Sequence, residues 1–277
     1  MQETSTPRET LSRIGQLPDH EIDLGAAALA LAAHQRLGAQ TAPYAAHLSE
    51  LVKAVSGDAQ AADSAEARAA LLGSVLAGRF RYAGDERDYD NLDNANLMAV
   101  IDRRRGLPVS LGILYIHVAR AQGWPIAGLT FPAHFLLRIE GADGGRAVFD
   151  PFHGARILDA SGMRELLKVV AGIGAELEPS LYEPVGNRDI LVRLQNNLKL
   201  RLLTHGQIAQ ALEIVEAMLL VAPHQVMLWR EAGMMQLRLG NLGAAIAALE
   251  HFVAQAPNSQ TRHRATALLQ ELRGRLH

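Results

Sequence analysis

The first third of the chain has apolar residues at a helical spacing of three and four positions, which predicts three helices over 23–36, 43–56 and 64–78. The segment RFRYAGDERDYDNLDNANL follows, and its polar, turn-forming residues predict an extended surface loop. From Leu111 to Ala119 the chain is apolar nearly all round, which predicts a buried central helix. We expect this helix to begin at Pro108 and to stop at Gly123.

Three short runs after the buried helix predict strands over 126–131, 134–140 and 147–149, with a GADGGR turn before the last one. In the middle strand His134 and Leu136 share one face because side chains alternate with a period of two. Helices followed by a small antiparallel sheet predict an α+β fold for the N-terminal part.

The C-terminal third repeats with a period of 34 residues. Pro223 and Pro257 are 34 positions apart, and so are Gly206 and Gly240. This period is the signature of tetratricopeptide repeats, here at about 192–225 and 226–259, followed by a capping helix over 261–276. The alternative is a generic pair of helical hairpins. We therefore predict two domains, over 1–185 and 186–277, the second of them all-α.

Composition and charge remove several classes of function. Lys and Arg number 27 and Asp and Glu 29, so the net charge of −2 does not favour nucleic-acid binding. The chain has no cysteine, which excludes disulfides, thiolate zinc sites and cysteine nucleophiles. The first residues lack a signal-peptide pattern, and no apolar run is as long as a membrane helix. We expect a cytoplasmic protein without membrane contact.

Ser110, His134 and Asp150 are the candidate catalytic residues. A serine in the first turn of a helix lies near free backbone N–H groups, where it is either a favoured nucleophile or simply a helix cap. If Leu136 lies opposite Asp150, then His134 and Asp150 project from the same face of the sheet. A carboxylate could then orient the imidazole that serves a nucleophile. The alternative is a structural histidine and an Asp-Pro turn.

Other polar residues have simpler interpretations. The aspartates of the loop over 79–97 lack the spacing of a calcium site, so we predict a solvated acidic loop and no metal or other cofactor. The run Arg103 to Arg105 could bind an anion or pair with this loop. Trp229 is expected to pack between repeat helices. A metal site with ligands from His117, His134, Asp150 and His153 is disfavoured because His117 lies mid-helix.

The order helix nucleophile, strand histidine, strand aspartate resembles the transglutaminase-like, papain-related superfamily. More closely, the chain resembles the SirB1 family, a transglutaminase-like domain followed by tetratricopeptide repeats. The matching segments are NLDNANLMAVIDRRRGLPVSLGILYIHVARAQGWP, FPAHFLLR and VFDPFHGARIL. The resemblance implies a sheet packed on the buried helix, with a cleft at the helix start that His134 and Asp150 line. Asn94, Asn96, Arg105 and Gly106 are further cleft-lining candidates.

The resemblance also implies a Gly-x-Cys sequence before the helix, where this chain has Gly106, Leu107 and Pro108. Proline thus occupies the nucleophile position, and Ser110 lies about 200° further around a helix. Transglutaminase or thiol-protease activity is therefore not expected.

Two hypotheses from different classes follow. The first is an interaction or regulatory protein that binds a protein or peptide partner through its cleft or its repeat groove. The second is a serine-dependent hydrolase or acyl-transferase in which Ser110 is the nucleophile, His134 the base and Asp150 the orienting carboxylate.

Overall fold

The computed structural model describes residues 6–36, 38–132, 134–257 and 259–274. The chain divides into two compact units. The sheet unit is Pro18–Leu194, and the repeat unit combines Met1–Leu17 with Gln195–His277. This division differs from the predicted domains, 1–185 and 186–277, because the first helix belongs to the repeat unit. No described helix is long and apolar enough to cross a membrane.

The sheet unit contains the helices that the apolar spacing predicted, together with two that it did not predict. They are α2 (Leu24–His34), α3 (Ala42–Ser56), α4 (Ala65–Gly73), α5 (Leu97–Arg103), α6 (Pro108–Ala121) and α7 (Ala160–Ala171). A π-helical turn, Ser74–Arg79, continues α4. The side chains of Asp23 and Ser64 cap α2 and α4 by accepting hydrogen bonds from free backbone N–H groups. Helices α5 and α7 were not predicted from the sequence.

Two small sheets complete this unit. Strands β1 (Ala83–Gly84) and β2 (Arg105–Gly106) pair in parallel. Strands β3 (Ile126–Gly128), β4 (Leu137–Glu140), β5 (Arg146–Asp150) and β6 (Arg156–Leu158) form an antiparallel sheet in chain order. The combination of helices with a small antiparallel sheet confirms the α+β fold class.

Two of the predicted strands, β3 and β4, are shorter than the sequence predicted, whereas β5 is longer. The predicted strand over 126–131 ends at Gly128, and His134 lies in a bend before β4. Pro132 has no N–H to donate to a ladder, and its carbonyl accepts from the His134 N–H at 2.7 Å. The prediction that His134 belongs to a strand was therefore wrong. Strands β1, β2 and β6 were not predicted from the sequence.

Helix α6 is buried in the core of the sheet unit, as its apolar sequence predicted. The Phe135 ring lies so close to Gly112 in α6 and Gly128 in β3 that an added Cβ would come within 2.5 Å and 2.6 Å of it. Larger residues at these two positions would displace the ring, which packs the sheet against α6.

The repeat unit consists of α1 (Pro7–Gln16), the C-terminal part of α8 (Asn187–Thr204), α9 (Ile208–Val221), α10 (Val226–Arg238), α11 (Leu242–Gln255) and α12 (Gln260–Gly274). Helix α1 packs on α9 closely enough that a Cβ at Gly15 would lie 2.0 Å from the Leu220 carbonyl oxygen. Helix α1 was not predicted from the sequence. The predicted capping helix corresponds to α12, and residues 275–276 of that prediction lie outside the described residues.

The predicted 34-residue period appears directly in the backbone. Gly206 and Gly240 both have positive φ, 70° and 78°, which glycine adopts without strain. After each glycine the next backbone N–H donates to a carbonyl five residues earlier, from Gln207 at 2.8 Å and from Asn241 at 2.9 Å. Trp229 packs on the His251 ring with 4.3 Å between ring centroids. The two repeats therefore have the same turn geometry.

Candidate functional site

The start of α6 presents no free nucleophile. Pro108 is the first residue of the helix and is partly exposed, and its ring has no reactive atom. Ser110 is fully buried, with 0% of its surface exposed. A Cβ at Gly106 would lie 2.6 Å from the Ser110 Oγ, so this glycine closely covers the hydroxyl.

The Ser110 hydroxyl lies within donating distance of two backbone carbonyls, that of Asn94 at 2.7 Å and that of Leu107 at 3.0 Å. Among the described residues it makes no bond to the free N–H groups of the first turn, and no side chain caps α6. The expectation that Ser110 caps the helix was therefore wrong. Its hydroxyl instead links α6 to the loop before α5, a structural role that leaves its proton engaged.

Asn94 is the centre of this loop and is fully buried. Its amide nitrogen donates to the Asp88 carbonyl at 2.7 Å, and its amide oxygen accepts from Arg103 at 2.9 Å. Its own carbonyl accepts from the Leu107 N–H at 3.1 Å as well as from Ser110. Predicted as a cleft-lining residue, Asn94 is a buried connector between the loop, α5 and α6.

The basic run pairs with the acidic loop in one place. Arg103 forms an ion pair with Asp85 at 2.7 Å, and Asp85 is itself buried. Arg104 contacts His47 at 2.5 Å and lies over the Tyr82 ring. The three arginines therefore do not form one common anion site.

The other predicted cleft residues make their bonds elsewhere. Asn96 caps α5 by accepting from the Ala99 N–H, and it donates to the Ala32 carbonyl near the end of α2. Arg105 is exposed and donates to the Arg81 carbonyl. Gly106 is buried, and its carbonyl accepts from the Asp85 N–H. These bonds fix the loops around the helix start.

Asp150, the last residue of β5, is 2% exposed, and each of its carboxylate oxygens has a partner. One carboxylate oxygen accepts from the Phe152 N–H at 2.8 Å. The other lies 2.6 Å from Nδ1 of His153. His153 is also 3.6 Å from the exposed Glu86. The Asp150 carboxylate therefore pairs with His153, three residues further along the chain.

His134 does not form the predicted pair with Asp150. The register pairs Leu137 with Phe149, and one further step would set Leu136 opposite Asp150, as the sequence argument assumed. In the described part of the chain, however, no side-chain hydrogen bond joins His134 to Asp150. The turn after β5 brings His153 back to the carboxylate, helped by a bond from the Ala155 N–H to the Asp150 carbonyl. The i,i+3 spacing in DPFH was the sequence signal for this pair.

His134 lies near the Asp150–His153 pair, and the charges of both residues affect its pKa. Burial lowers the pKa of His134 below its usual range, and the Asp150 carboxylate opposes this shift. Positive charge on His153 and Arg193 lowers the pKa further. Arg193 also donates to the His134 carbonyl at 2.7 Å and lies over the Phe135 ring.

We expect an NMR titration to give His134 a pKa below the usual 6.5. Asp150→Asn should lower that pKa further, and Arg193→Gln should raise it. A depressed histidine pKa means that the unfolded chain binds protons more readily than the folded chain. The contribution of His134 to stability is therefore fully present above about pH 6.5 and is lost as the pH falls through the folded pKa. A His134 pKa above 6.5 would instead indicate a direct pair with Asp150.

Tyr115 is a residue of α6, and its side chain lies near Asp150. It was not singled out as a functional residue from the sequence. Its ring packs on Phe149 at 5.7 Å, and its buried hydroxyl has no hydrogen-bond partner in the described structure. Burial raises the pKa of this phenol, and the Asp150 charge adds to the shift. The hydroxyl therefore stays protonated.

The described residues contain no group of three His, Cys, Asp or Glu side chains arranged to hold a metal ion. His117, one of the disfavoured metal candidates, lies 3.3 Å from Asp23 instead. Within the described residues, Asp150 and His153 therefore form a pair without the further ligands of a metal site and without a hydroxyl group hydrogen-bonded to either side chain.

Comparisons with known proteins agree with this architecture. A family model described as the transglutaminase-like superfamily matches residues 42–196, and one described as tetratricopeptide repeat matches residues 198–270. No solved structure matches the chain.

Among curated relatives, a UPF0162 protein of Xylella fastidiosa (strain Temecula1) is 33% identical over 193 residues, 69% of this chain and 68% of the relative. Protein SirB1 of Salmonella typhimurium is 28% identical over 66% of this chain and 68% of its own length. Human F-box only protein 21 is 35% identical over 129 residues, 45% of this chain and 20% of that protein. Since the first family model covers more than half of the 277 residues, the chain belongs to the transglutaminase-like superfamily and, within it, to the SirB1 family with C-terminal tetratricopeptide repeats.

Proposed function

We propose that this chain is a protein-interaction or regulatory protein whose transglutaminase-like domain lacks a catalytic nucleophile. The observation that carries the proposal is the state of Ser110, the hydroxyl that the sequence offered as a nucleophile at the helix start. Its side chain is fully buried and within donating distance of two carbonyls, so it would have to break these contacts before it could attack a substrate.

The surrounding chemistry supports the same proposal. A serine needs a base in hydrogen-bond reach and aligned oxyanion donors, and a misplacement of about 1 Å can cost roughly a hundredfold in rate. Ser110 has no bond to His134 or His153 in the described structure. The chain also contains no cysteine, so no thiolate is available as a nucleophile.

A binding role uses what is present. The Asp150–His153 couple, the His134 ring and the exposed Tyr89 offer polar and aromatic contacts in the sheet unit. Tetratricopeptide repeats generally mediate protein–protein interactions, and the repeat unit contributes a helical surface of that kind. We propose that one or both bind a protein or peptide partner, and the cytoplasmic location expected from the sequence remains a prediction.

The test is covalent labelling of the full chain with a fluorophosphonate, a hydroxyl-directed probe, followed by intact-mass measurement. We expect no adduct on the wild-type chain or on the Ser110→Ala and His134→Ala variants. His20→Ala, which removes an exposed histidine elsewhere, is the matched control. An adduct on the wild type that disappears in Ser110→Ala and His134→Ala, but not in His20→Ala, would overturn the proposal and establish the serine-dependent enzyme.

A further inference from the structure

The repeat unit contains an open groove between α8 and α10, with a volume of about 360 Å³. Its apolar lining includes Leu200 and Leu203 from α8 and Met234 from α10. A hollow of about 170 Å³ between α10 and α12 adjoins it and shares Arg230 and Met234 with it. We call the two together the α10 groove.

Leucine and methionine make the groove a surface for apolar side chains. Leu200 is 59% exposed, which leaves a large apolar side chain in contact with water. Met234 is only partly buried, and methionine adapts its shape to irregular apolar ligands. A ligand with large apolar side chains would remove this area from water, which favours binding.

The charges of the groove are unbalanced. Lys199 and Glu231 form an ion pair at 2.6 Å and neutralise each other. The remaining charged side chains of the lining are Arg230, Arg238 and Arg264. None of these three forms an ion pair or side-chain hydrogen bond with another residue in the described ranges. Three guanidinium groups are therefore available to carboxylates of a ligand.

Three of the residues that line the groove lie on α10 at a regular spacing. Arg230, Met234 and Arg238 follow each other at intervals of four residues, which places them on one face of the helix. At a rise of 1.5 Å per residue, the two arginines are about 12 Å apart along the helix, with the methionine between them. An extended peptide covers that distance in about four residues.

We propose that the α10 groove binds an acidic segment of a partner protein in which carboxylates about 12 Å apart flank a large apolar side chain. The inference rests on the proposed interaction function and assigns its partner chemistry. The arginines select carboxylates, and the apolar lining distinguishes such a segment from a simple polyanion.

The experiment measures binding of fluorescein-labelled twelve-residue peptides to the full chain by fluorescence anisotropy. The test peptide carries pairs of glutamates separated by single leucines. One control peptide replaces each leucine by glycine, and another replaces each glutamate by lysine. We expect the test peptide to bind at least tenfold more tightly than either control, and its affinity to fall with added salt.

Variants locate the binding site. Arg230→Gln combined with Arg238→Gln should weaken the test peptide about tenfold, since each surface charge contact contributes modestly. Leu200→Ala should weaken it several-fold without affecting folding, because this side chain is already exposed in the free protein. Arg262→Gln is the matched control, an α12 arginine that does not line the groove.

Equal binding of the test and glycine peptides, or equal affinities of the double variant and the Arg262→Gln control, would overturn the inference. So would the absence of measurable binding by the test peptide. None of these results depends on a nucleophile, so they are separate from the labelling result that would overturn the proposed function.

Discussion

Replacing Asn94 by alanine is expected to lower the free energy of unfolding by about 3 kcal/mol. The substitution leaves the Asp88 carbonyl without its bond at 2.7 Å, and it takes from Arg103 an acceptor at 2.9 Å. Buried polar groups that lose a partner cost roughly 1–3 kcal/mol each, and more where one of them is charged. Urea denaturation with circular dichroism measures the effect.

Asn91→Ala is the matched control for Asn94→Ala. Asn91 lies three residues earlier in the same loop, bonds Asp88 through its own amide and caps a short 3₁₀ helix, but it is partly exposed. Water can replace its bonds, so we expect a loss of about 1 kcal/mol. Equal losses for the two variants would contradict the role of Asn94 as a buried connector.

Asp150→Ala is the second substitution with a large expected effect, about 3 kcal/mol of unfolding free energy. The carboxylate is buried, and it accepts from the Phe152 N–H and contacts His153 at 2.6 Å. Hydrogen bonds to charged groups contribute roughly 1.5–3 kcal/mol each, and the loss leaves both partners unsatisfied. Thermal and urea unfolding of the variant, compared with the wild type, measure the effect.

Two double-mutant cycles test which histidine interacts directly with Asp150. Asp150→Ala combined with His153→Gln should show a coupling energy of about 1–2 kcal/mol, since the two side chains are in direct contact. Asp150→Ala combined with His134→Gln should show a coupling energy of only about a few tenths of a kcal/mol. The reverse order would mean that Asp150 pairs with His134 in solution.

The sequence predicted α2, α3, α4 and α6 because their apolar spacing is long and regular, but α5 and α7 were not predicted. Helix α6 is apolar on all sides and is buried, and the 34-residue period returns as the same turn at Gly206 and Gly240. Short elements carry much less pattern. Strand β6 has three residues, and α1 was missed although Thr6 and Glu9 form a capping box at its start.

The candidate site was predicted in part. The β4–β5 register agreed with the assumption about Leu136 and Asp150, but a register does not decide which neighbour a carboxylate bonds. The turn after β5 brings His153 to Asp150, and it is formed by residues with positive φ at Gly154 and Ala155. Likewise, the sequence placed Ser110 in the first turn of α6 but could not show that Asn94 would bring a carbonyl to its hydroxyl.

The central claim is that Pro108 occupies the position where a nucleophile would lie at the start of α6, and that Ser110 is buried inside the protein. Because the chain has no cysteine, Pro108→Cys and Ser110→Cys each create a single thiol that can be followed alone. The most direct measurement is the rate at which iodoacetamide alkylates these two variants in the folded state, read by intact mass.

We predict that the Pro108→Cys thiol reacts at least about a hundredfold faster, because a helix start lowers a thiol pKa and the site is partly exposed. The Ser110→Cys thiol should react only when local opening exposes it. Comparable rates for the two variants, or faster reaction of Ser110→Cys, would contradict the account and return Ser110 to the role of a nucleophile.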